Sequence, residues 1–105
     1  MQNQQDILIS QTAGVLQIGM NRPLKKNALT HAMYTTMADA LKDSVADDSV
    51  KVVLIHGTED TFTAGNDLKD FQNRDPNQAS PAAALLYELH NYPKPIVGAV
   101  SGVAI

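Results

Sequence analysis

The amino-acid sequence predicts an α/β fold in which helices pack on a mostly parallel sheet and a β-hairpin comes first. Three observations carry this prediction. The first 20 residues contain two strand-like segments around a glycine, two later apolar runs at residues 52–55 and 96–100 are continuous, and hydrophobic residues between these runs recur at helical spacing. A continuous β-branched run is typical of a strand covered on both faces, as in a parallel sheet. Strands that alternate with helices indicate the α/β class.

The hairpin is predicted from its turn. Apolar residues at 7–9 and 15–20 flank Thr12-Ala13-Gly14, and a short glycine-containing turn between two such segments is typical of a β-hairpin. Residues 21–27 are polar and include Pro23, which lacks a backbone N–H, so we predict a loop there. Residues 57–60 are predicted to form a turn after the first buried strand.

Capping residues and spacing predict three helices. Thr30 is predicted to cap the first helix, which ends at residues 47–49. Residues 62–65 lead into a short second helix, and a polar loop follows at residues 73–78. Ser80 followed by Pro81 is a good N-cap and first-turn pair for the last helix. The predicted apolar faces consist of Met33, Met37, Ala38, Ala40, Leu41 and Val45 in the first helix, Leu68 and Phe71 in the second, and Ala82, Leu85, Leu86 and Leu89 in the last.

Composition narrows the class of function. The 105 residues suffice for one small domain, and 44% hydrophobic with 18% charged residues are globular values. The net charge of −3 gives no general attraction to nucleic acid or to an anionic membrane. The absence of cysteine excludes disulfides, thiolate metal sites and cysteine nucleophiles, and the three histidines show no paired metal-ligand spacing.

The two ends of the chain give expectations about its context. The first six residues are polar and contain no signal-peptide core, so we expect a cytoplasmic protein. The apolar run at residues 96–105 has about half of the roughly 20 residues that a membrane helix needs. Because the chain stops at Ile105 inside this run, we expect residues 1–105 to be the N-terminal portion of a longer domain. The alternative is that this run is a true C-terminal strand.

The segment from Thr63 to Leu68 is the best candidate for chemistry, because it leads from a loop into a helix. The first backbone N–H groups of a helix have no partner within it and lie at the positive end of its dipole. Gly65 lacks a Cβ, so a ligand can approach the backbone closely. Such N–H groups can stabilise a carbonyl oxygen that gains negative charge. The structural alternative is an ordinary turn at Gly65-Asn66, with Asn66 or Asp67 as a helix cap.

Three segments together resemble the crotonase superfamily, which is the enoyl-CoA hydratase/isomerase family. Ala64-Gly65-Asn66-Asp67-Leu68 resembles its A-G-x-D-[LI] segment. Asn21-Arg22-Pro23 with Asn27-Ala28-Leu29 looks like its N-R-P-x-x-x-N-A-[LM] segment. Residues 94–102, KPIVGAVSG, are similar to its K-P-[VI]-[IV]-A-A-[VI]-x-G strand. The three segments appear in the family's order, and the resemblance covers residues 7–105.

This resemblance implies a crotonase-like (ClpP/crotonase) spiral of ββα units, assembled as a homotrimer or hexamer. It implies an acyl-CoA thioester as the bound partner, with coenzyme A as part of the substrate, and neither a prosthetic group nor a metal. The backbone N–H of the residue between Gly and Asp, here Asn66, would be the first donor of an oxyanion hole. The second donor and the glutamate that moves protons are implied to follow Ile105.

The resemblance also implies two groups of substrate-binding residues. The first group lines the channel for the adenine and the acyl thioester and consists of Ala64, Gly65, Asn66, Asp67 and Leu68. The second group lies in the loop that approaches coenzyme A and consists of Arg22, Leu24, Lys25, Lys26 and Ala28. Each group has a structural alternative: Asp67 as a first-turn carboxylate favoured by the helix dipole, and the basic residues as a solvated cluster.

The chemistry within the family stays open from sequence. Asn66 is similar to the Δ3,Δ2-enoyl-CoA isomerase branch, which often reads S-G-N-D-L, and this favours isomerisation over hydration. Thioester hydrolysis, decarboxylation and dehalogenation are alternatives, because one fold supports many reactions. A non-catalytic paralogue that serves coenzyme A binding or assembly is a further alternative. An RNA-binding homologue is disfavoured by the net charge of −3.

Overall fold

A computed structural model describes residues 5–105 as a mixed sheet with helices packed on it. In chain order the elements are β1 (Ile7–Thr12), β2 (Val15–Met20), α1 (His31–Ser44), β3 (Val52–His56), β4 (Thr61–Thr63), α2 (Leu68–Gln72), α3 (Pro81–Asn91), β5 (Ile96–Ala99) and β6 (Val103–Ala104). The main sheet has the order β1-β2-β3-β5, with β1 antiparallel to β2 and the other pairs parallel. The predicted α/β class, with a hairpin followed by parallel strands, is confirmed.

The hairpin turn is tighter than predicted. Thr12 pairs with Val15 as the last residue of β1, so the turn consists of Ala13 and Gly14 alone. Both residues have positive φ, 52° and 83°, which is the pattern of the two-residue turns whose twist matches that of the strands. The carbonyl of Gly14 accepts hydrogen bonds from Lys51 N–H (2.7 Å) and Val52 N–H (3.2 Å). The turn thereby holds the start of β3 beside β2.

Helix α1 provides much of the hydrophobic core. Its predicted cap is present, since the Thr30 hydroxyl accepts a hydrogen bond from Met33 N–H at 3.1 Å. Val45, which we predicted on the apolar face, is 44% exposed. This prediction is wrong because the helix ends at Ser44, before the predicted end at residues 47–49, and Val45 is its C-cap. The core consists of Ile7, Leu16, Ile18, Met20, Leu29, Met33, Met37, Ala38, Leu41, Val50, Val53 and Leu85.

The C-terminal end of α1 is held by the segment that precedes β5. The Lys94 ammonium donates to the carbonyls of Ser44 and Asp47, both at 2.8 Å. The hydroxyls of Tyr92 and Ser44 lie 2.6 Å apart. A cation at the end of a helix satisfies carbonyls that have no partner within it and complements the helix dipole. Lys94, part of the third family-like segment, therefore joins α1 to the sheet.

Two predictions of burial fail near the end of the chain. Leu85 of α3 is buried, but Leu86 is 64% exposed, because α3 packs on α1 through a narrow stripe and adjacent helical residues point about 100° apart. We also predicted a buried strand at residues 96–100, yet Val97 is 51% and Val100 58% exposed. Within residues 5–105, β5 pairs only with β3 and forms the edge of the sheet.

Strands β4 and β6 were not predicted. They form a separate two-stranded parallel sheet, and β4 has only three residues. Thr61 and Thr63 of β4 are buried, with the less buried Phe62 between them. Such a short polar segment gives no period-2 hydrophobic signal.

In the described part of the chain, none of the helices combines the length and apolar character needed to cross a bilayer.

Candidate functional site

Two loops that are far apart in sequence lie side by side, and buried Asn27 joins them. The first loop consists of residues 21–29, and the second consists of residues 57–67 and includes β4. Its side-chain amide donates to the Thr61 carbonyl at 2.9 Å, and also contacts the Phe62 carbonyl and the Thr58 hydroxyl, both at 3.3 Å. Its carbonyl oxygen accepts from Arg22 N–H at 2.7 Å. Asn27 had no role predicted from sequence beyond its place in the second family-like segment, which was the available signal. Asn27 therefore connects the second family-like segment to the second loop, which contains β4.

The backbone of the first loop is strained where it meets the second. Lys26 and Asn27 both have positive φ, 52° and 56°, a conformation that costs free energy unless the surroundings hold it. Lys26 C=O accepts from Ala64 N–H at 3.0 Å, and Asn27 C=O accepts from the Thr63 hydroxyl at 2.7 Å. The same two loops therefore hold each other through main-chain and side-chain bonds.

Arg22 and Asp67 form an ion pair across the two loops at 2.8 Å. Arg22 also donates to the Ala28 carbonyl at 3.0 Å, and Asp67 accepts from Asp70 N–H at 3.0 Å as the N-cap of α2. The backbone hydrogen bond from Asp70 and then the Arg22 guanidinium hold the pKa of Asp67 below its ordinary value. Both charged groups thus fix the start of α2 against the first loop.

The direction of the Asn66 N–H is set by the neighbouring peptide groups. Leu29 N–H donates to the Gly65 carbonyl at 2.8 Å, and Asp67 N–H donates to the Leu29 carbonyl at 2.9 Å. The described peptide bonds include no cis bond, and in a trans peptide the C=O and N–H point in opposite directions. The N–H of Asn66 therefore points away from Leu29. No group among residues 5–105 accepts a hydrogen bond from it.

Gly65 gives this peptide its geometry. Its φ of 93° lies in the region that side chains disfavour. A Cβ at this position would lie 3.8 Å from both Cγ2 and the carbonyl oxygen of Ile105, so the conformation rather than space requires glycine. Ile105 N–H donates to the Thr63 carbonyl at 3.0 Å. Ile105, three residues after the third family-like segment, thereby lies beside Gly65.

The side chain of Asn66 is held separately from its N–H. The Tyr34 hydroxyl, on α1, donates to the Asn66 side-chain oxygen. Partial burial raises the pKa of Tyr34, so the hydroxyl stays a donor at neutral pH. Both residues line a cavity of about 210 Å³, together with Leu29, His31, Asp67, Asp70, Phe71, Arg74, Ser80 and Ala82. Sequence reasoning missed Tyr34, which carries no motif signal.

The remaining predicted site residues lie in two separate places. Ala64 is half-buried and precedes the Gly65 turn, whereas Leu68 begins α2 with 73% of its surface exposed. Leu24, Lys25 and Lys26 are exposed on the outer side of the first loop, and Ala28 is half-buried. An open cavity of about 230 Å³ is lined by Asp6, Arg22, Pro23, Leu24 and Lys25.

Metal binding has no candidate residues in the described part of the chain. Among residues 5–105, no three histidine, aspartate or glutamate side chains come together in a way that holds a metal ion. His56 lies at the end of β3, and its Nδ1 is 2.9 Å from the Gly57 carbonyl. His31 begins α1, where its N–H donates to Asp70 at 2.8 Å.

Comparisons with known proteins show which family the chain resembles. The enoyl-CoA hydratase/isomerase family profile matches residues 10–105. The chain is 38% identical to "Enoyl-CoA delta isomerase 3, peroxisomal" of Mus musculus over 95% of its own length. It is 34% identical to "Probable enoyl-CoA hydratase 1, peroxisomal" of Arabidopsis thaliana over 90% of its length. Among solved structures it matches that of Pseudomonas aeruginosa OdaA with a TM-score of 0.89 and 42% identity over 94% of this chain.

The match spans only part of these proteins. The chain covers 33% of the mouse protein, 36% of the Arabidopsis protein and 40% of the OdaA chain. Within that part, the family profile extends over nearly the whole chain, and the fold agrees with a solved structure. The chain belongs to the enoyl-CoA hydratase/isomerase (crotonase) family.

Proposed function

We propose that the protein binds an acyl-CoA thioester, stabilises its enolate through the N–H of Asn66, and isomerises the double bond of an enoyl-CoA. The observation that carries this proposal is the backbone donor itself. It is unpaired among residues 5–105, and the Leu29–Gly65 hydrogen bond fixes its direction. A donor fixed before the substrate arrives needs no rearrangement when charge develops on the substrate oxygen.

The reaction follows from where the charge develops. A proton leaves the α carbon of a 3-enoyl thioester, and its electron pair moves onto the thioester oxygen to give an enolate. A proton then returns at the γ carbon, and the double bond ends between the α and β carbons. The oxygen carries more negative charge in the enolate than in the thioester. The Asn66 N–H therefore stabilises the transition state more than the bound substrate, which is what accelerates the step.

The two carboxylates that line the cavity with Asn66 do not supply the acid or base. Asp67 caps α2 and pairs with Arg22, and Asp70 accepts a hydrogen bond from His31 N–H. Both carboxylates already accept hydrogen bonds that connect the two loops and helices. We therefore assign neither a proton-transfer role, and we propose that a glutamate outside residues 5–105 moves the proton.

Isomerisation is favoured over hydration by two observations. The residue at the donor position is Asn66, as in the S-G-N-D-L segment that isomerases of this family often have. Identity to the mouse delta isomerase, 38%, also exceeds identity to the Arabidopsis probable hydratase, 34%. Hydration forms a different enolate: the oxygen of water adds at the β carbon of a 2-enoyl thioester as the water loses a proton to a base, and a proton is then added at the α carbon. The negative charge again develops on the thioester oxygen. The alternative function is therefore an enoyl-CoA hydratase that uses the same donor.

Coenzyme A is proposed to lie along the first loop. Lys25 and Lys26 are exposed there and have the charge that attracts phosphate. Arg22 is bonded to Asp67 and Ala28, so we give it a role in fixing the loop rather than a free contact with phosphate. Ala64 to Leu68, which contain the donor, are proposed to lie at the thioester end.

The test compares two variants at residue 66 in protein expressed from its complete coding sequence. Asn66→Pro deletes the N–H, and its loss should lower kcat by about 100-fold or more, the usual cost of one oxyanion donor. Asn66→Ala retains the N–H and is the matched control, with an expected loss of less than about tenfold. Both are assayed with 3-enoyl-CoA and with crotonyl-CoA, and thermal melts confirm that each variant is folded.

The outcomes separate the candidate functions. Faster turnover of 3-enoyl-CoA than hydration of crotonyl-CoA supports the isomerase, and the reverse supports the hydratase. Equal effects of the two variants on kcat would rule out the backbone donor. A folded wild-type protein that turns over neither substrate would rule out both activities.

A further inference from the structure

Tyr34 contacts the donor residue from a different element. It lies on α1, and its hydroxyl donates to the side-chain oxygen of Asn66, 32 residues away in sequence. The Asn66 side chain is otherwise exposed. Its amide thus has one described partner that keeps it against α1.

An unrestrained asparagine side chain would compete for the donor. Asparagine oxygens readily accept hydrogen bonds from their own backbone N–H and from the N–H groups of the next residues. At this position the N–H of Asn66 has no partner among residues 5–105, so it is available to such an oxygen. The cap position of α2 is already filled by Asp67, which accepts from Asp70 N–H. The N–H of Asn66 is a free donor on the same residue as that oxygen.

We propose that Tyr34 is a positioning residue, which holds the Asn66 side chain against α1 and so leaves the Asn66 N–H open to the thioester oxygen. This inference rests on the proposed function and deepens it. Tyr34 touches neither the thioester nor the proton that moves. Its effect passes through the side chain of Asn66, and this dependence distinguishes it from a general structural role.

A double-mutant cycle tests this dependence in protein from the complete coding sequence. Tyr34→Phe removes only the hydroxyl, and we expect kcat to fall about fivefold with little change in KM, which corresponds to one hydrogen bond of ordinary strength. In the Asn66→Ala background there is no side-chain oxygen to restrain, so adding Tyr34→Phe should change kcat less than about twofold. Tyr87→Phe is the matched control, because Tyr87 on α3 is 66% exposed and lies outside the cavity around Asn66.

A second measurement does not depend on turnover. In ¹⁵N-labelled protein, the amide proton resonance of Asn66 should shift in Tyr34→Phe, as the freed side chain bonds to it, and stay in place in Tyr87→Phe. If the wild-type protein turns over no enoyl-CoA, the proposed function fails and this resonance decides the role of Tyr34 alone. An unchanged resonance, or an equal loss of kcat from Tyr34→Phe in both backgrounds, would overturn the inference.

Discussion

Asn27 shows how a single buried residue joins the two loops of the candidate site. It is completely buried, has a φ of 56°, and bonds through its side chain to both loops. Asparagine is among the few residues that adopt this backbone conformation readily. It also provides both a donor and an acceptor on one short side chain. No other residue type combines these properties at the same size.

Replacing Asn27 should therefore destabilise the whole protein. Asn27→Ala leaves the Arg22 N–H without its acceptor, and an unsatisfied buried group costs about 1–3 kcal/mol. It also removes one of the donors to the Thr61 carbonyl, which keeps its bond from Thr58 N–H. The free energy of unfolding is measured by urea denaturation. Asn77→Ala, in an exposed loop, is the matched control and should change it by less than about 0.5 kcal/mol. A similar small change for Asn27→Ala would show that the two loops hold together without it.

At the scale of elements, the contact between the first loop and α2 depends on the negative charge of Asp67, which pairs with Arg22. The pKa of Asp67 is lowered in the folded protein, so its ionised form contributes stability that is fully present above the ordinary value of 3.8. That contribution is lost as the pH falls through the lowered pKa. Asparagine is also a good N-cap, so Asp67→Asn keeps the cap on Asp70 N–H and removes the charge and the second oxygen that bind Arg22.

This charge predicts a pH-dependent difference between wild type and Asp67→Asn. Near pH 7 the variant should melt at a lower temperature than wild type. The gap should begin to shrink as the pH approaches 3.8 and should vanish below the lowered pKa of Asp67. Thermal melts of both proteins between neutral pH and acid measure the gap. A gap that stays constant over this range would mean that the ion pair adds nothing to stability.

The elements also show what sequence could and could not predict. The caps at Thr30 and Ser80 were predictable because each acts on an N–H three residues away. Lys94 as the cap of α1 was not, because its partners Ser44 and Asp47 lie about 50 residues earlier. Leu86 and Val97 were placed inside because hydrophobicity alone cannot tell a core stripe from an edge.

The candidate site likewise has features that the sequence could predict and features that it could not. The segment around Asn66 was found from its own residues and their resemblance to a family. The residues that orient it, Leu29, Asn27 and Tyr34, act across 32 or more positions and became visible only in the fold. Local motifs thus located the donor, whereas its direction depends on long-range contacts.

For the whole molecule, assembly as a homotrimer or hexamer stays a prediction. Several apolar side chains near the end of the described chain are exposed, among them Val97, Val103 and Ile105. Exposed apolar side chains can mark surfaces that pack against other protein. Light scattering on protein from the complete coding sequence should give a mass of three or six chains. A monomer at micromolar concentration would contradict the prediction.

The Leu29–Gly65 hydrogen bond has a consequence for how this protein can change. Because the Asn66 amide is oriented by the carbonyl on the opposite side of its own peptide plane, its direction does not depend on which side chain residue 66 carries. Under the proposed function, selection can therefore alter the volume and polarity of that side chain to suit different acyl groups while the proposed oxyanion donor stays in place. Proline is the one amino acid excluded at residue 66, because it has no backbone N–H.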